Sequence, residues 1–245
     1  MTNIWVNFPP HRRRRARDVV SASNIRIESV GNEAQPVIVI DEFAKDFLAL
    51  RDAAHAASYR MMRGHYPGIR APVPVDVVNG FLDPFLGLIA DTFGHPCAPA
   101  LIESFYSIVT TPPERLTPIQ RLPHFDGLEV ERIAMVHFLG EDDQGGTAFY
   151  RHRATGYETI NQARHPGYDA ALHRDVATHG MPTPAYISGD TAIFEQIGRI
   201  SARPNRALIY RSHLLHCADL SNAITLSPDP KIGRLTVNTF LIGRG

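Results

Sequence analysis

From Pro99 onward the chain is a succession of short runs rich in β-branched and aromatic residues, each closed by a turn. Runs at 104–110, 132–139, 147–150, 206–210 and 235–242 are too short for helices, and their spacing predicts an antiparallel sandwich or barrel. The segment ahead of Pro99 reads differently. Phe43, Phe47, Leu48, Leu50, Ala54 and Ala57 recur at helical spacing, predicting a helix over 42–63 with Asp41 as its cap. Val77, Val78, Phe81, Phe85, Leu88 and Ile89 predict a second over 75–93. Before them, Val37 to Ile40 reads as a buried strand, and residues 1–35 as an N-terminal arm or edge element. At 245 residues and 44% apolar, the chain suits a single domain over 36–245, mostly β with flanking helices. A helical buttress occupies 36–98 and a β core 99–245. The polar stretch 156–179 predicts an inserted helix and loop, and the segment 157–184 is expected to shape a substrate mouth.

Twenty-five basic residues balance twenty-five acidic ones, which disfavours nucleic-acid binding by bulk charge. Cys97 and Cys217 are the only cysteines, too few for a disulfide framework or an all-cysteine zinc site. That usage suits a reducing compartment, and no apolar run has signal-peptide or membrane-spanning character, so a cytoplasmic location is expected. The cluster Arg12 to Arg17 is either a solvated arm or a contact for an acidic partner. Arg151-His152-Arg153 either steers an anionic substrate or closes a polar strand end.

Twelve histidines raise the question of which converge on a metal. In His124-Phe125-Asp126, residues i and i+2 of a strand would share a face, aiming an imidazole and a carboxylate at one point with Phe125 turned away. HxD spacings are common by chance, so a third ligand is required. His216 supplies one, at the far end of the run that begins at Ala207. Two histidines and a carboxylate suit Fe(II) held on one face with open positions opposite, whereas a closed zinc site would need a fourth protein ligand. Cys217 neighbours His216 and would point to the opposite face. His213 is the competing distal histidine.

Further on, Arg234, Thr236 and Asn238 alternate onto one face of a strand. An inward arginine needs an anion, which is either a ligand or an acidic residue of the chain. Lys231, three residues earlier, is the alternative cation.

The residues His124, Asp126, His216, and Arg234 with Thr236, resemble the motif set of the Fe(II)/2-oxoglutarate-dependent dioxygenases. The likeness is to their prolyl-hydroxylase-like branch and a bacterial subgroup of uncharacterised function. Val39 to Phe43, Gly145 to Tyr150, Ser212 four residues before His216, the passage Tyr66 to Pro72, and Phe194-Glu195 leading to Pro204-Asn205-Arg206 add to it. The resemblance implies a double-stranded β-helix (a jelly-roll, cupin-like core) buttressed by the N-terminal helices. It implies Fe(II) held by His124, Asp126 and His216, with 2-oxoglutarate and O2 as co-substrates. Arg234 would grip the far carboxylate of 2-oxoglutarate and Thr236 add a hydrogen bond. The implied activity is hydroxylation of a small molecule, amino acid or peptide side chain with formation of succinate. That branch commonly has lysine where this chain has Arg234. Asp126 argues against halogenation, since halogenating relatives lack that carboxylate. Tyr106 is either a co-substrate contact or a core aromatic. Two other readings keep the same residues: a cupin-like metal protein acting without 2-oxoglutarate, as an isomerase or another dioxygenase, and a non-catalytic module that captures a small acid. Hydrolase and nucleotide-binding signatures are absent. A homo-oligomer is compatible with all of these.

Overall fold

The alternating runs of the C-terminal half do pair into antiparallel sheets. A computed structural model of the protein describes residues 24–62, 64–142, 144–220 and 226–243, so the Arg12 to Arg17 cluster lies outside the described residues. In chain order the elements are β1 (Ile25–Val30), β2 (Gln35–Ile40), α1 (Phe47–His55), β3 (Arg60–Met61), β4 (Gly68–Pro72), α2 (Val75–Leu82) and α3 (Leu86–Phe93). There follow β5 (Ala100–Val109), β6 (Arg132–Phe138), β7 (Gly146–His152), α4 (His165–His179), β8 (Phe194–Ser201), β9 (Ala207–Arg211), β10 (His216–Asp219) and β11 (Leu235–Ile242). Eight strands form a large sheet in the order β1-β2-β9-β6-β11-β5-β4-β3, and three form a small one in the order β10-β7-β8. The molecule is thus mostly β, with two antiparallel sheets in the manner of a double-stranded β-helix. Among the described residues no helix is long and apolar enough to cross a membrane.

Strand alternation divides the core into layers. One face of the large sheet (Ile38, Ile133, Ile209, Val237) packs against Leu50 and Ala54 of α1, Phe81 of α2 and Ile89 of α3. Each of the larger of these side chains, fully buried, contributes about 1.5–3 kcal/mol. The other face (Val39, Phe138, Leu208, Tyr210) meets Phe149 and Ile200 of the small sheet. Beyond the small sheet, Tyr150, Phe194 and Cys217 are covered by Tyr168 of α4.

Several boundaries differ from those the sequence predicts. The first helix is only Phe47–His55, because Arg60 and Met61 pair with Arg70 and Ile69 and strand pairing overrides helical propensity. The second is divided by a 3-10 turn at Asp83–Phe85, where Pro84 removes a backbone donor. Asp41 caps no helix; it accepts from the Arg206 fork at 2.5 and 2.9 Å. Residues 25–30, at the end of the expected arm, are the edge strand β1, paired with β2 over six residues.

Candidate metal centre

The chain leaves the large sheet at Arg211, turns, and enters the small sheet at His216, so the distal histidine opens a new strand rather than ending the old one. His216 lies opposite Phe149, on the inner face of the small sheet, and Cys217 opposite Ala148, on the outer. Alternation therefore turns the Cys217 thiol away, toward the Ile187 carbonyl at 3.9 Å. His124 is held to His216 by two backbone bonds: the His124 N–H donates to the His216 carbonyl at 2.8 Å, and the His124 carbonyl accepts from the His216 N–H at 2.9 Å. The Asp126 N–H donates to the Ser212 carbonyl at 2.7 Å. The expected strand at 124–126 is thus a single bridge, yet the side-chain geometry is the one anticipated. Phe125 packs against His165 and Tyr168.

One potential ligand atom from each of His124, Asp126 and His216 lies within 4.8 Å of the other two. His216 Nε2 stands 3.2 Å from one Asp126 oxygen and His124 Nε2 3.7 Å from the other. His216 Nδ1 donates to the Leu214 carbonyl at 2.7 Å, which places the proton there and leaves the Nε2 lone pair facing Asp126. Although burial works to raise it, the Asp126 carboxyl is drawn down to about 2, chiefly by the charge and hydrogen bond that the His216 imidazole offers when protonated, a place a bound cation would take. The His124 side chain is 48% exposed, and it lines the cavity described below. Desolvation, then the His216 imidazole, hold its pKa down at about 4. Lone pairs converging with an ionised carboxylate are the donor set of a divalent cation. Among the described residues no fourth His, Cys, Asp or Glu joins the group, so the donor set fits an open site.

The three side chains line a cavity of about 400 Å³. Its charged wall comprises Arg70, Arg132 and Arg234 against Asp126 and Glu103, an excess of positive charge. Arg234 is buried, its Nε donating to the Gln144 carbonyl at 3.1 Å and Nη2 to the Gly146 carbonyl at 2.9 Å. Burial pulls its pKa down from the ordinary arginine value. The internal ion pair left open by the sequence does not form among the described residues; backbone carbonyls take that place. The Thr236 hydroxyl donates to Asn238 Oδ1 at 2.9 Å, and it is Asn238 that lines the cavity. Thr236 itself is not among the residues that line the cavity.

Other candidates go elsewhere. Lys231 is exposed in a turn. His213 is buried outside the cluster, its carbonyl accepting from the Ile160 N–H at 2.8 Å. Tyr106 joins the core under the helices. The basic triplet at 151–153 is already engaged: Arg151 with Glu158 and Glu195, His152 with Asp175, Arg153 with Asp190. The cavity lining includes His65, Ile119 and Tyr186 but no residue of 157–184, the segment expected to shape a substrate mouth; its helix α4 covers the outer face of the small sheet. Arg70 and Tyr66 were not singled out for the cavity by sequence; their signal was only the passage Tyr66 to Pro72.

Among solved structures, the chain is similar to HygX from Streptomyces hygroscopicus with nickel, 2-oxoglutarate and hygromycin B bound (12% identity, 86% of this chain and 84% of that one, TM-score 0.49). It is similar also to the non-heme alpha-ketoglutarate-dependent epimerase SnoN from nogalamycin biosynthesis (10%, 85% and 79%, TM-score 0.47). A third is an N-substituted L-amino acid dioxygenase from Burkholderia ambifaria AMMD (16%, 86% and 84%, TM-score 0.40). No curated protein matches the sequence. Residues 21–241 match the model of DUF6445, a family of unknown function, and the chain belongs to that family.

Proposed function

We propose that the protein is an Fe(II)/2-oxoglutarate-dependent oxygenase that hydroxylates a small molecule, amino acid or peptide side chain. The observation that carries this reading is the convergence of His124, Asp126 and His216 within 4.8 Å on the wall of a cavity that Arg234 also lines. In this reading His124, Asp126 and His216 hold the iron. The ion and its co-substrate, when bound, supply the oxidising chemistry: 2-oxoglutarate, O2 and a C–H bond give succinate, CO2 and an alcohol. The protein's own residues do the rest. The Leu214 carbonyl fixes the His216 tautomer, and the two backbone bonds between His124 and His216 hold the imidazoles in register. Arg234, already oriented by two carbonyls, offers its remaining N–H groups to the far carboxylate of 2-oxoglutarate, with Thr236 steadying Asn238 beside it. A cavity of about 400 Å³ suits a small substrate and limits the water around it.

The test is anaerobic addition of Fe(II), then 2-oxoglutarate, followed by O2. Wild type should show a weak metal-to-ligand charge-transfer band and then succinate; His124→Ala and Asp126→Ala should lose both iron and succinate. Iron binding without the band would favour the cupin-like reading, and wild-type turnover in either variant would remove the metal assignment.

A further inference from the structure

The three arginines of the cavity are not equivalently partnered. Arg132 faces Glu103 at 3.8 Å, and Arg234 donates to two carbonyls. Among the described residues the Arg70 side chain makes no hydrogen bond and no carboxylate stands within 4 Å of it; its Nε is buried without a partner. Its nearest acidic influences, Asp126 and Glu103, act only at longer range, and burial draws its pKa down from the ordinary arginine value. What holds Arg70 is aromatic: its guanidinium carbon lies 4.0 Å from the Tyr66 ring centroid and 5.6 Å from that of Phe105. Stacking on a ring fixes the plane of a guanidinium while leaving its N–H edge free to donate. The Tyr66 hydroxyl is buried beside Ser107, whose own hydroxyl donates to the Phe105 carbonyl at 3.4 Å.

Strand register places this group on the wall already described. Arg70 lies opposite Ser107, Ser107 opposite Thr236, and Thr236 opposite Phe138, one row across four strands. Arg234 precedes Thr236 by two residues and so shares that face. Strands β4 and β11 are separated by β5, and Arg234 lies two residues along from the row of Arg70, so the two arginines enter the cavity about 12 Å apart at the backbone. One wall thus presents two separate cationic seats, enough for two different anions.

We propose that Arg70, stacked on Tyr66 and aided by its hydroxyl, is the seat of a carboxylate on the primary substrate, so that the substrate is a small organic acid anchored beside the metal centre. The inference rests on the oxygenase reading for calling that acid a substrate. One free guanidinium edge and one hydroxyl match a singly charged, planar anion better than a phosphate dianion, which needs more donors. Arg70 acts as a specificity-determining residue and takes no part in holding metal or co-substrate.

The test uses the full chain loaded anaerobically with Fe(II) and saturating 2-oxoglutarate, titrated calorimetrically with hexanoate and with hexanamide, which differ in charge but hardly in shape. Wild type should prefer the acid by about tenfold or more; the preference should shrink in Arg70→Lys and fall to about twofold or less in Arg70→Met. The 2-oxoglutarate titration, read from the optical band, should be the same in all three. Should Arg70→Met not fold, judged by circular dichroism, the lysine variant carries the test. Equal binding of acid and amide by wild type, or no binding of either, overturns the proposal. So does a weakened 2-oxoglutarate titration in the Arg70 variants, which would make Arg70 the co-substrate's arginine. If wild type gives no band at all, the oxygenase reading fails. The same acid-against-amide comparison without 2-oxoglutarate then judges the anion seat separately.

Discussion

At the scale of single residues, Arg234 and His137 show two ways of keeping an ionisable group inside. Arg234 stays charged because carbonyls of Gln144 and Gly146 accept from it, and its capacity for a further acceptor is what the proposed function uses. Arg234→Ala should raise the 2-oxoglutarate concentration needed for half-saturation by about one to two orders of magnitude, measured by optical titration. An unchanged requirement would move that role to another cation. His137 is instead kept neutral. Fully buried between Phe43 and Phe81, it donates from Nε2 to Asn205 Oδ1 at 2.9 Å, and desolvation pushes its pKa down to about 4. In the unfolded chain the same imidazole titrates near 6.5. Between those values the unfolded chain binds more protons, so this contribution to stability is complete above pH 6.5 and is lost as pH falls toward 4. The loss amounts to about 3 kcal/mol at the acid end. Urea melts from pH 7.5 to 4 should show this slope, and His137→Gln should flatten it; an unaltered slope would assign the acid sensitivity elsewhere.

At the scale of elements, β4 owes its position to a missing side chain. A Cβ on Gly68 would sit 2.0 Å from the Ile108 carbonyl oxygen, a backbone atom of the paired strand that cannot step aside. Gly68→Ala should therefore push β4 off β5, cost about 1–3 kcal/mol in a thermal or urea melt, and displace Arg70 two residues on. A variant as stable as wild type would show that the two strands can part there without penalty. Elements also mark what was readable beforehand. The alternation of Arg234, Thr236 and Asn238, the outward turn of Cys217 and the run 235–242 follow from period-two geometry, which is local, and appear as read. The meeting of His124, Asp126 and His216 was legible because residue type and spacing carried it. What failed was non-local: the first helix yields to pairing of Arg60 and Met61 with β4, Asp41 serves Arg206 rather than a helix end, and α4 covers the small sheet instead of lining the cavity. Arg70 escaped notice because its importance lies in what does not touch it, and spacing in sequence says nothing of that.

At the scale of the molecule, two sheets and three apolar layers are joined at a seam, where the turn after β9 hands the chain from the large sheet to the small one. The hairpin between β1 and β2 is tied to the segment beyond β7: the fully buried Glu158 carboxylate accepts from the N–H groups of Asn32 and Glu33 and from Arg151. A cation bound at His124, Asp126 and His216 would link the two strands of that seam and bind only the folded chain. Saturating Fe(II), at about 100 times its dissociation constant, should stabilise wild type by about 2.7 kcal/mol, a shift of several degrees in the anaerobic melting temperature. Asp126→Ala should show no such shift; an equal shift in both would mean that the ion binds elsewhere.

The bridge between His124 and His216 joins segments ninety-odd positions apart along the chain. A polypeptide still emerging or half assembled cannot offer the three-donor set, because neither stretch alone supplies more than two donors. On the oxygenase reading, loading would be contingent on closure: a redox-active ion would be held in full only by a molecule whose walls already surround it, and incomplete copies would be left unarmed.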